Sequence, residues 1–389
     1  MIKTERHFIK GTQEIIYLCS LSKDLYNRCL YLIRQEYFKH KRLPDINILV
    51  NLTRDLDCFK NLHNTKTAKQ TIRKVLSDWS NFRKALNVFY KNPKSFLSKP
   101  RPPKYKKKLS QVIFYSETIS RKGLKHDIIQ PTNNCFSVKS SIKEFRQVVI
   151  TPKTFGFIID VQYEVEEKKN PSRKGICFID LGVNNLASIT SDQLSPILIN
   201  GRIVKSINQY YNKYPTKKNS RKRYFRLENY FHHVSKYIID LCKNNNIGRI
   251  IIGKNDYWKQ KTKMKKKNKQ NFQYIPFFKL IQKIQYKAKL EGITVEFTEE
   301  SYTSKSSFLD HDPLDGSVIS GKRVNRGLYR SKDGKFLNAD VNGSLNIGRK
   351  VIGEKIYDLL SDRSVTATPV VINPLKLSSS KLFCQKMVG

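Results

Sequence analysis

The stretch Ile176-Cys177-Phe178-Ile179-Asp180-Leu181-Gly182-Val183-Asn184-Asn185-Leu186-Ala187-Ser188-Ile189 decides how this chain is read. An apolar run ends in a carboxylate, Gly182 permits a turn, and a second short apolar run follows. The pattern predicts a buried strand over 176–180 that delivers Asp180 to its carboxyl end, then a hairpin into a second strand over 186–190. A lone carboxylate at the tip of an apolar strand is costly unless a cation meets it. The chain carries a formal charge of +42. A divalent metal at Asp180 and a nucleic-acid substrate are therefore the first expectation.

Lysine and arginine number 74 against 32 aspartates and glutamates. An excess of that size attracts phosphate whatever its sequence, largely through counterion release. It is not a tail, because basic runs at 104–108, 217–226 and 259–269 spread it along the chain. The 20 tyrosines and 21 phenylalanines are interleaved with it, as in Lys104-Tyr105-Lys106 and Arg223-Tyr224-Phe225-Arg226, where rings can cover apolar surface or stack on bases. A chain of 389 residues is long enough for two or three domains. No apolar run approaches the roughly 20 residues of a membrane span, and Met1-Ile2-Lys3-Thr4-Glu5 does not read as a signal peptide, so no membrane partner is expected. Cys19, Cys29, Cys58, Cys135, Cys177, Cys242 and Cys384 contain no Cys-x-x-Cys pair. They read as small buried thiols of a reducing compartment, and a cysteine-ligated zinc is not expected.

Ile15, Leu18, Leu21, Leu25, Cys29, Leu32 and Ile33 predict an amphipathic helix over 13–40, and Ile72, Val75, Leu76, Trp79, Phe82, Leu86 and Phe89 a second over 66–92. A shorter helix is expected over 45–57. Pro100, Pro102 and Pro103 make 99–108 an extended basic linker. Strand-like segments over 111–167 predict a small β-barrel or sheet, with the helices inserted after a first strand near 2–9. Beyond the polar linker 166–172, strands are expected at 176–180, 186–190 and 196–200. A helix bearing Leu227, Tyr230, Val234, Ile238 and Leu241 leads to a strand at 249–253. Next come a helix entered near Pro276 with Phe278, Ile281, Ile284 and Ala288 inward, a strand at 293–298, and a helix opened by Asp340. That order is the order of an α/β RNase H-like domain.

Phosphodiester hydrolysis in such a fold uses carboxylates at strand ends to hold two divalent ions roughly 3.5–4 Å apart. Hard oxygen donors suit Mg2+ or Mn2+. Asp180 is the first expected ligand. Asp340, in Asn338-Ala339-Asp340-Val341-Asn342-Gly343-Ser344-Leu345-Asn346-Ile347, is the second, although Asp also suits a helix N-cap. The strand expected to supply a third acid ends at Gly253, with Asp256 three residues on in a loop. The following strand ends in Glu299-Glu300-Ser301-Tyr302-Thr303-Ser304-Lys305. Neighbouring strands lie about 4.8 Å apart, so a long glutamate side chain there can reach the same ions. Both glutamates can equally be solvated charges at a strand end.

Asp180-Leu181-Gly182-Val183-Asn184-Asn185-Leu186-Ala187, Ser301-Tyr302-Thr303-Ser304-Lys305 and Asp340-Val341-Asn342-Gly343-Ser344 together resemble the RuvC motifs of TnpB transposon nucleases, relatives of the Fanzor proteins and of compact type V CRISPR effectors. The resemblance is specific only after residue 175. It implies an RNA-guided DNA endonuclease of mobile-element origin. In outline it implies a wedge β-barrel with its first strand at 1–10, a helical recognition lobe at 11–100, the remaining wedge at 101–170 and a RuvC-like domain at 171–389. Gly253 stands where most of that family carries its middle glutamate. A subset has a glutamate three residues before the Thr-Ser pair, so the resemblance assigns Glu300 to catalysis and metal binding beside Asp180 and Asp340, with Glu299 in reserve. The family's zinc ribbon falls at 301–339, and residues 306–339 hold no cysteine. The insert is expected to survive as an unmetallated loop.

The partners implied are a guide RNA from the transposon end and double-stranded target DNA with a short flanking motif. The protein would be a monomer or weak dimer, in the cytoplasm or nucleoid of a bacterium or in a nucleus if the host is eukaryotic or viral. Expected nucleic-acid contacts are Lys106, Lys107, Arg221, Arg223, Arg226, Lys259, Lys263, Lys266, Arg323 and Arg326. A nuclease-inactive RNA-guided repressor and a guide-free transposase or resolvase are the competing readings, and residues 352–389 read only as a helix and a tail.

Overall fold

A computed structural model describes residues 1–168, 172–254, 274–325, 327–360 and 368–377. The expected contacts at Lys259, Lys263, Lys266 and Arg326 lie outside the described residues. The chain divides into two units, Met1–Val165 and the part from Glu166 onward. Among the described residues no helix is long and apolar enough to cross a membrane.

In the first unit, strand β1 (Ile2–Ile9) is followed by helices α1 (Gln13–His40), α2 (Ile46–Thr53), α3 (Asp57–Lys60) and α4 (Thr65–Lys91). Strand β2 (Val112–Tyr115), helix α5 (Arg121–Lys125) and strands β3 (Ile128–Ile129), β4 (Val138–Lys139), β5 (Gln147–Lys153) and β6 (Gly156–Glu164) complete it. Thr12 caps α1 by accepting from the Ile15 amide at 3.3 Å, and Asn64 caps α4 by accepting from Thr67 at 2.9 Å. The apolar stripes of the two helices bury Ile15, Leu25, Ile33, Ile72 and Trp79.

The antiparallel sheet runs β1-β6-β5-β2, with Ile2 opposite Glu164 and Ile9 opposite Phe157. Residues 10–111, which hold α1 to α4, thus leave and re-enter one sheet. Of the barrel or sheet expected from these segments, β1, β6, β5 and β2 form an open four-stranded sheet. The physical reason is in the core, where Val112, Phe114, Val148 and Ile159 pack in one cluster with Trp79 and Ile15. Helices cover the apolar face, so burial does not require the sheet to close.

The second unit has a six-stranded sheet ordered β11-β10-β7-β8-β9-β15. Its strands are β7 (Gly175–Asp180), β8 (Asn185–Ser191), β9 (Ile197–Asn200), β10 (Ile247–Gly253), β11 (Thr294–Thr298) and β15 (Val370–Ile372). Strand β8 is antiparallel to β7 and β9, while β10 is parallel to β7 and β11 is parallel to β10. Three meandering strands with two parallel additions beside the first is the strand order of the RNase H-like fold. Helices α6 (Arg202–Lys213) and α7 (Lys217–Asn244) precede β10, and α8 (Phe277–Leu290) precedes β11.

Cys177 and Ile179 join a core with Tyr230, Ile238, Leu280 and Ile284 from the helices. Phe178 and Ile251 turn to the other face and meet Val341, Leu345 and Ile347 of helix α9 (Ala339–Ile352). A sheet buried on both faces requires the continuous apolar run seen before Asp180. In α8 Ile281, Ile284 and Ala288 face inward as expected, but the buried ring is Phe277 at 2% exposure, whereas Phe278 is 63% exposed. Strand β15 adds a parallel edge to β9 from a segment that was expected to be a helix and a tail.

Candidate active site

Asp180 is the last residue of β7, and its backbone pairs with Ser188 of β8. The carboxylate points at α9. A Cβ on Gly343 would lie 2.7 Å from Asp180 Oδ2. A glycine inside a helix costs about 1 kcal/mol relative to alanine. Here it is what lets the Asp180 carboxylate reach the helix backbone.

Asp340 lies in the first turn of that helix. The cap is Asn338, whose Oδ1 accepts from the amides of Asp340 at 3.0 Å and Val341 at 3.3 Å. The N-cap alternative for Asp340 is thereby removed, and its carboxylate is left for other contacts. Asn185 Nδ2 donates to Asp340 Oδ2 at 2.6 Å, and the Arg323 guanidinium lies 3.6 Å from Oδ1.

Glu300 follows β11. In the sheet, Ile252 pairs with Ile179 and Gly253 with Thr298, so Gly253 marks the strand end nearest Asp180. A Cβ at Gly253 would lie 2.7 Å from both Cγ and Oε1 of Glu300 and 2.5 Å from Ile347 Cδ1. The Glu300 side chain thus occupies the space that a side chain from residue 253 would fill. Glu299 is exposed, and its carboxylate accepts from the Ser301 hydroxyl instead.

The electrostatics join the three acids pairwise. Burial and then the neighbouring Asp340 carboxylate push Asp180 up to about 7, against a pull downward from the Leu181 amide and Arg323. Burial and then Asp180 push Glu300 up to about 9, with Lys350 opposing. Among the described residues, no three His, Cys, Asp or Glu side chains converge closely enough to hold one ion together. Asp180 instead faces Asp340 and Glu300 in two separate pairings, with hard oxygen donors in each.

The turn that carries Glu300 is held by residues that sequence reasoning missed. Asn346 Nδ2 donates to the carbonyls of Thr303 at 3.0 Å and Ser306 at 2.8 Å, and Asn342 Nδ2 to Ser306 at 2.9 Å. The Phe308 amide returns a bond to Asn342 Oδ1 at 3.0 Å. Thr303 in turn donates to the Glu300 carbonyl from its hydroxyl at 2.9 Å. Asn342 and Asn346 are both fully buried. Two asparagines four apart on an otherwise apolar helix face were the available signal.

Replacing Asn346 by leucine is expected to destabilise the protein by about 1–3 kcal/mol, because the Thr303 carbonyl loses its side-chain donor and the Ser306 carbonyl one of its two. A urea titration measures it, and an unchanged midpoint would contradict this assignment.

The cysteine-free insert is a three-stranded antiparallel sheet of β12 (Lys322–Asn325), β13 (Leu328–Arg330) and β14 (Phe336–Asn338), where a loop was expected. Its anchor is Asp312, 2% exposed, whose Oδ2 accepts from the amides of Ser307 at 2.7 Å and Ser320 at 2.9 Å. Strand β12 carries the exposed Arg323 to Asp340.

Two of the expected phosphate contacts are engaged within the fold. Lys106 donates to Ser110 Oγ at 2.8 Å and sits 3.6 Å over the Tyr26 ring, and burial pushes its ammonium down to about 8. Arg223 donates from Nε to Asn208 Oδ1 at 2.8 Å. Lys107 and Arg226 are exposed, with Arg226 5.6 Å over Tyr211, and Arg221 is half-buried.

With this geometry in place, the comparisons bear on one segment. Residues 277–347 match the family model described as Cas12f1-like, TNB domain. The matched segment contains Glu299, Glu300 and Asp340 but ends short of most of the chain. No curated protein matches. A cryo-EM structure of a Cas12f1-sgRNA-target DNA complex overlaps 89% of this chain and 98% of its own at 15% identity and a TM-score of 0.34. A CRISPR-Cas12f ternary complex overlaps 86% and 80% at 15% identity and 0.36. A Cas12i-crRNA-dsDNA complex overlaps 73% and 57% at 10% identity and 0.28. The RNase H-like assignment rests on strand order rather than on these overlaps.

Proposed function

We propose that this chain is an RNA-guided DNA endonuclease of mobile-element origin that cuts its target at Asp180, Glu300 and Asp340. The observation that carries the cutting site is the Glu300 carboxylate lying over Gly253 and against Asp180. The Cas12f1-like match over 277–347, the motif resemblance and the +42 charge support the guided reading. On that reading guide pairing reads the sequence, and the protein reads nucleic-acid shape and a short flanking motif. The guide would come from the transposon end.

The donor set fits divalent magnesium or manganese, because burial and then neighbouring carboxylates hold Asp180 and Glu300 above the usual carboxylate range, and a hard cation offsets both. Asp180, Asp340 and Glu300 are the residues that would hold the ions. When bound, such ions stabilise the attacking and leaving oxygens of a phosphodiester. Asn185 and Arg323 orient Asp340, and the Asn342–Asn346 staple fixes the turn beneath Glu300.

The raised acids have a consequence for stability. Carboxyls in an unfolded chain titrate near about 4. Protonated Asp180 and Glu300 therefore stabilise the metal-free fold fully below about 4, and that contribution is lost as pH rises through about 7 and then about 9. In EDTA, the unfolding midpoint of the Asp180→Asn variant is expected to decline less over this window than that of the wild type, and to lie above it at neutral pH. Scanning calorimetry at stepped pH measures both. An Asp180→Asn midpoint below the wild type at neutral pH would contradict the crowding of these carboxylates.

The guided reading is tested by purifying the protein with its co-expressed native locus. RNA is expected to co-purify and to direct magnesium-dependent cleavage of a matching duplex. Tight RNA-dependent binding without cleavage would favour a repressor, and an RNA-free protein would remove both guided readings.

A further inference from the structure

Residues 201–226, which form α6 and the start of α7, hold nine lysines and arginines and no aspartate or glutamate. Within this acid-free corner, Tyr210 and Tyr214 are 57% and 48% exposed, four residues apart, with ring centroids 5.6 Å from each other. Their position is fixed from beneath. Tyr211 is buried and meets Tyr210 edge-on at 4.9 Å, and the Arg226 guanidinium covers Tyr211 at 5.6 Å. Arg223 ties α7 to Asn208 of α6. The charge of this corner is thus divided between cations that brace the fold and exposed ones, among them Lys213, Lys217 and Lys218. Lys217 and Lys218 form no ion pair among the described residues, so their charge is available to a partner.

The start of α6 lies beside the cutting site. The Gly201 amide donates to the Asn184 carbonyl at 2.7 Å, and a Cβ on Gly201 would meet the Val183 carbonyl at 2.5 Å. Val183 and Asn184 belong to the turn that follows Asp180. An α-helix rises about 1.5 Å per residue, so Tyr210 and Tyr214 lie roughly 14–20 Å along the helix from that turn.

We infer that this tyrosine pair and its flanking lysines are a docking platform for single-stranded DNA, which holds the strand being cut as it approaches Asp180. Exposed ring faces bind bases only when those bases are unstacked, which selects a single strand over a duplex. The acid-free surround supplies phosphate contacts of no sequence preference. DNA rather than RNA is the occupant because the helix that carries the platform starts at the turn following Asp180, an argument that rests on the endonuclease reading above.

The test measures anisotropy of a labelled oligothymidylate of about 12 nucleotides, a length within the range of one stacking site. It uses the RNA-loaded protein in EDTA, where metal-dependent cutting is absent, so the result does not depend on whether the three carboxylates cleave. Tyr210→Ala/Tyr214→Ala is expected to weaken binding about tenfold or more, with the salt slope unchanged, while Tyr210→Phe/Tyr214→Phe retains wild-type affinity. Lys217→Gln/Lys218→Gln is expected to lower the magnitude of the log–log salt slope by about 1.4, two phosphates at about 0.7 each. Unchanged affinity in the double alanine variant overturns the proposal. Loss of the co-purifying RNA from that variant, with oligothymidylate binding intact, also overturns it and assigns the platform to the guide. The proposal fails in both cases without touching the cleavage site, whose own failure would appear as intact DNA in magnesium.

Discussion

Glu300→Gln is expected to lower magnesium-dependent cleavage of a guide-matched duplex by more than about a hundredfold, the upper end of what losing a mere supporting partner of a metal ligand costs. Glutamine has the shape of glutamate and fits over Gly253, so the turn and the packing against Ile347 are retained. What disappears is a carboxyl that can ionise to bind a metal beside Asp180. Because burial and that neighbour hold Glu300 above the usual carboxylate range, the metal-free fold must keep it protonated at neutral pH, and glutamine removes that cost. The variant is therefore expected to be at least as stable as wild type in EDTA at neutral pH, and to retain its RNA and its target. Lost cleavage with intact folding and binding separates a metal-binding carboxylate from a structural one. A destabilised Glu300→Gln protein would contradict the electrostatic reading, and one that still cuts would move the third acid elsewhere.

The second large effect comes from Gly253. Even an alanine there places a methyl carbon 2.7 Å from Glu300 Cγ and Oε1, closer than non-bonded carbon and oxygen tolerate. Gly253→Ala is expected to push the carboxylate off its site and lower cleavage about a hundredfold, the scale of a misplacement of about 1 Å. The stability cost should be modest, about 1–3 kcal/mol for one overpacked methyl group. The informative variant is the exchange Gly253→Glu/Glu300→Gly. It removes the Glu300 side chain from the space over residue 253, leaving the flexible end of Ile347 to shift, and supplies the carboxylate from the strand end. Cleavage is expected to recover to within about tenfold of wild type, the remainder being imperfect positioning. Single-turnover rates of the three proteins measure this. An exchange variant no better than Glu300→Gln would show that the two positions do not share one carboxylate site.

The parts of this architecture that were legible in the sequence are those in which local pattern and burial coincide. The run Ile176–Ile179 is continuous because β7 is covered on both faces, so its end at Asp180 could be read directly. The residues alone led only to the pair Glu299-Glu300, and the resemblance singled out Glu300, since the space over Gly253 is created by two strands and α9 together. The inward ring of α8 was misread because Phe277 and Phe278 are adjacent and chemically identical, and periodicity alone does not choose between them. Strand β15 is three residues long and has no partner within its own segment, so nothing local announced it. Lys106 and Arg223 are expected at phosphates because charge is visible in a sequence and a buried partner is not. The same limit hid Tyr210 and Tyr214, whose exposure and proximity to each other belong to the folded chain.

The most direct measurement is cleavage of a guide-matched duplex by the purified RNA-loaded protein in magnesium, run beside its Asp180→Asn variant and an EDTA control. The expected result is cut DNA from the wild type alone, and only when magnesium is present. Equal cutting by Asp180→Asn, or cutting that persists in EDTA, would contradict a metal-dependent site at Asp180, Glu300 and Asp340.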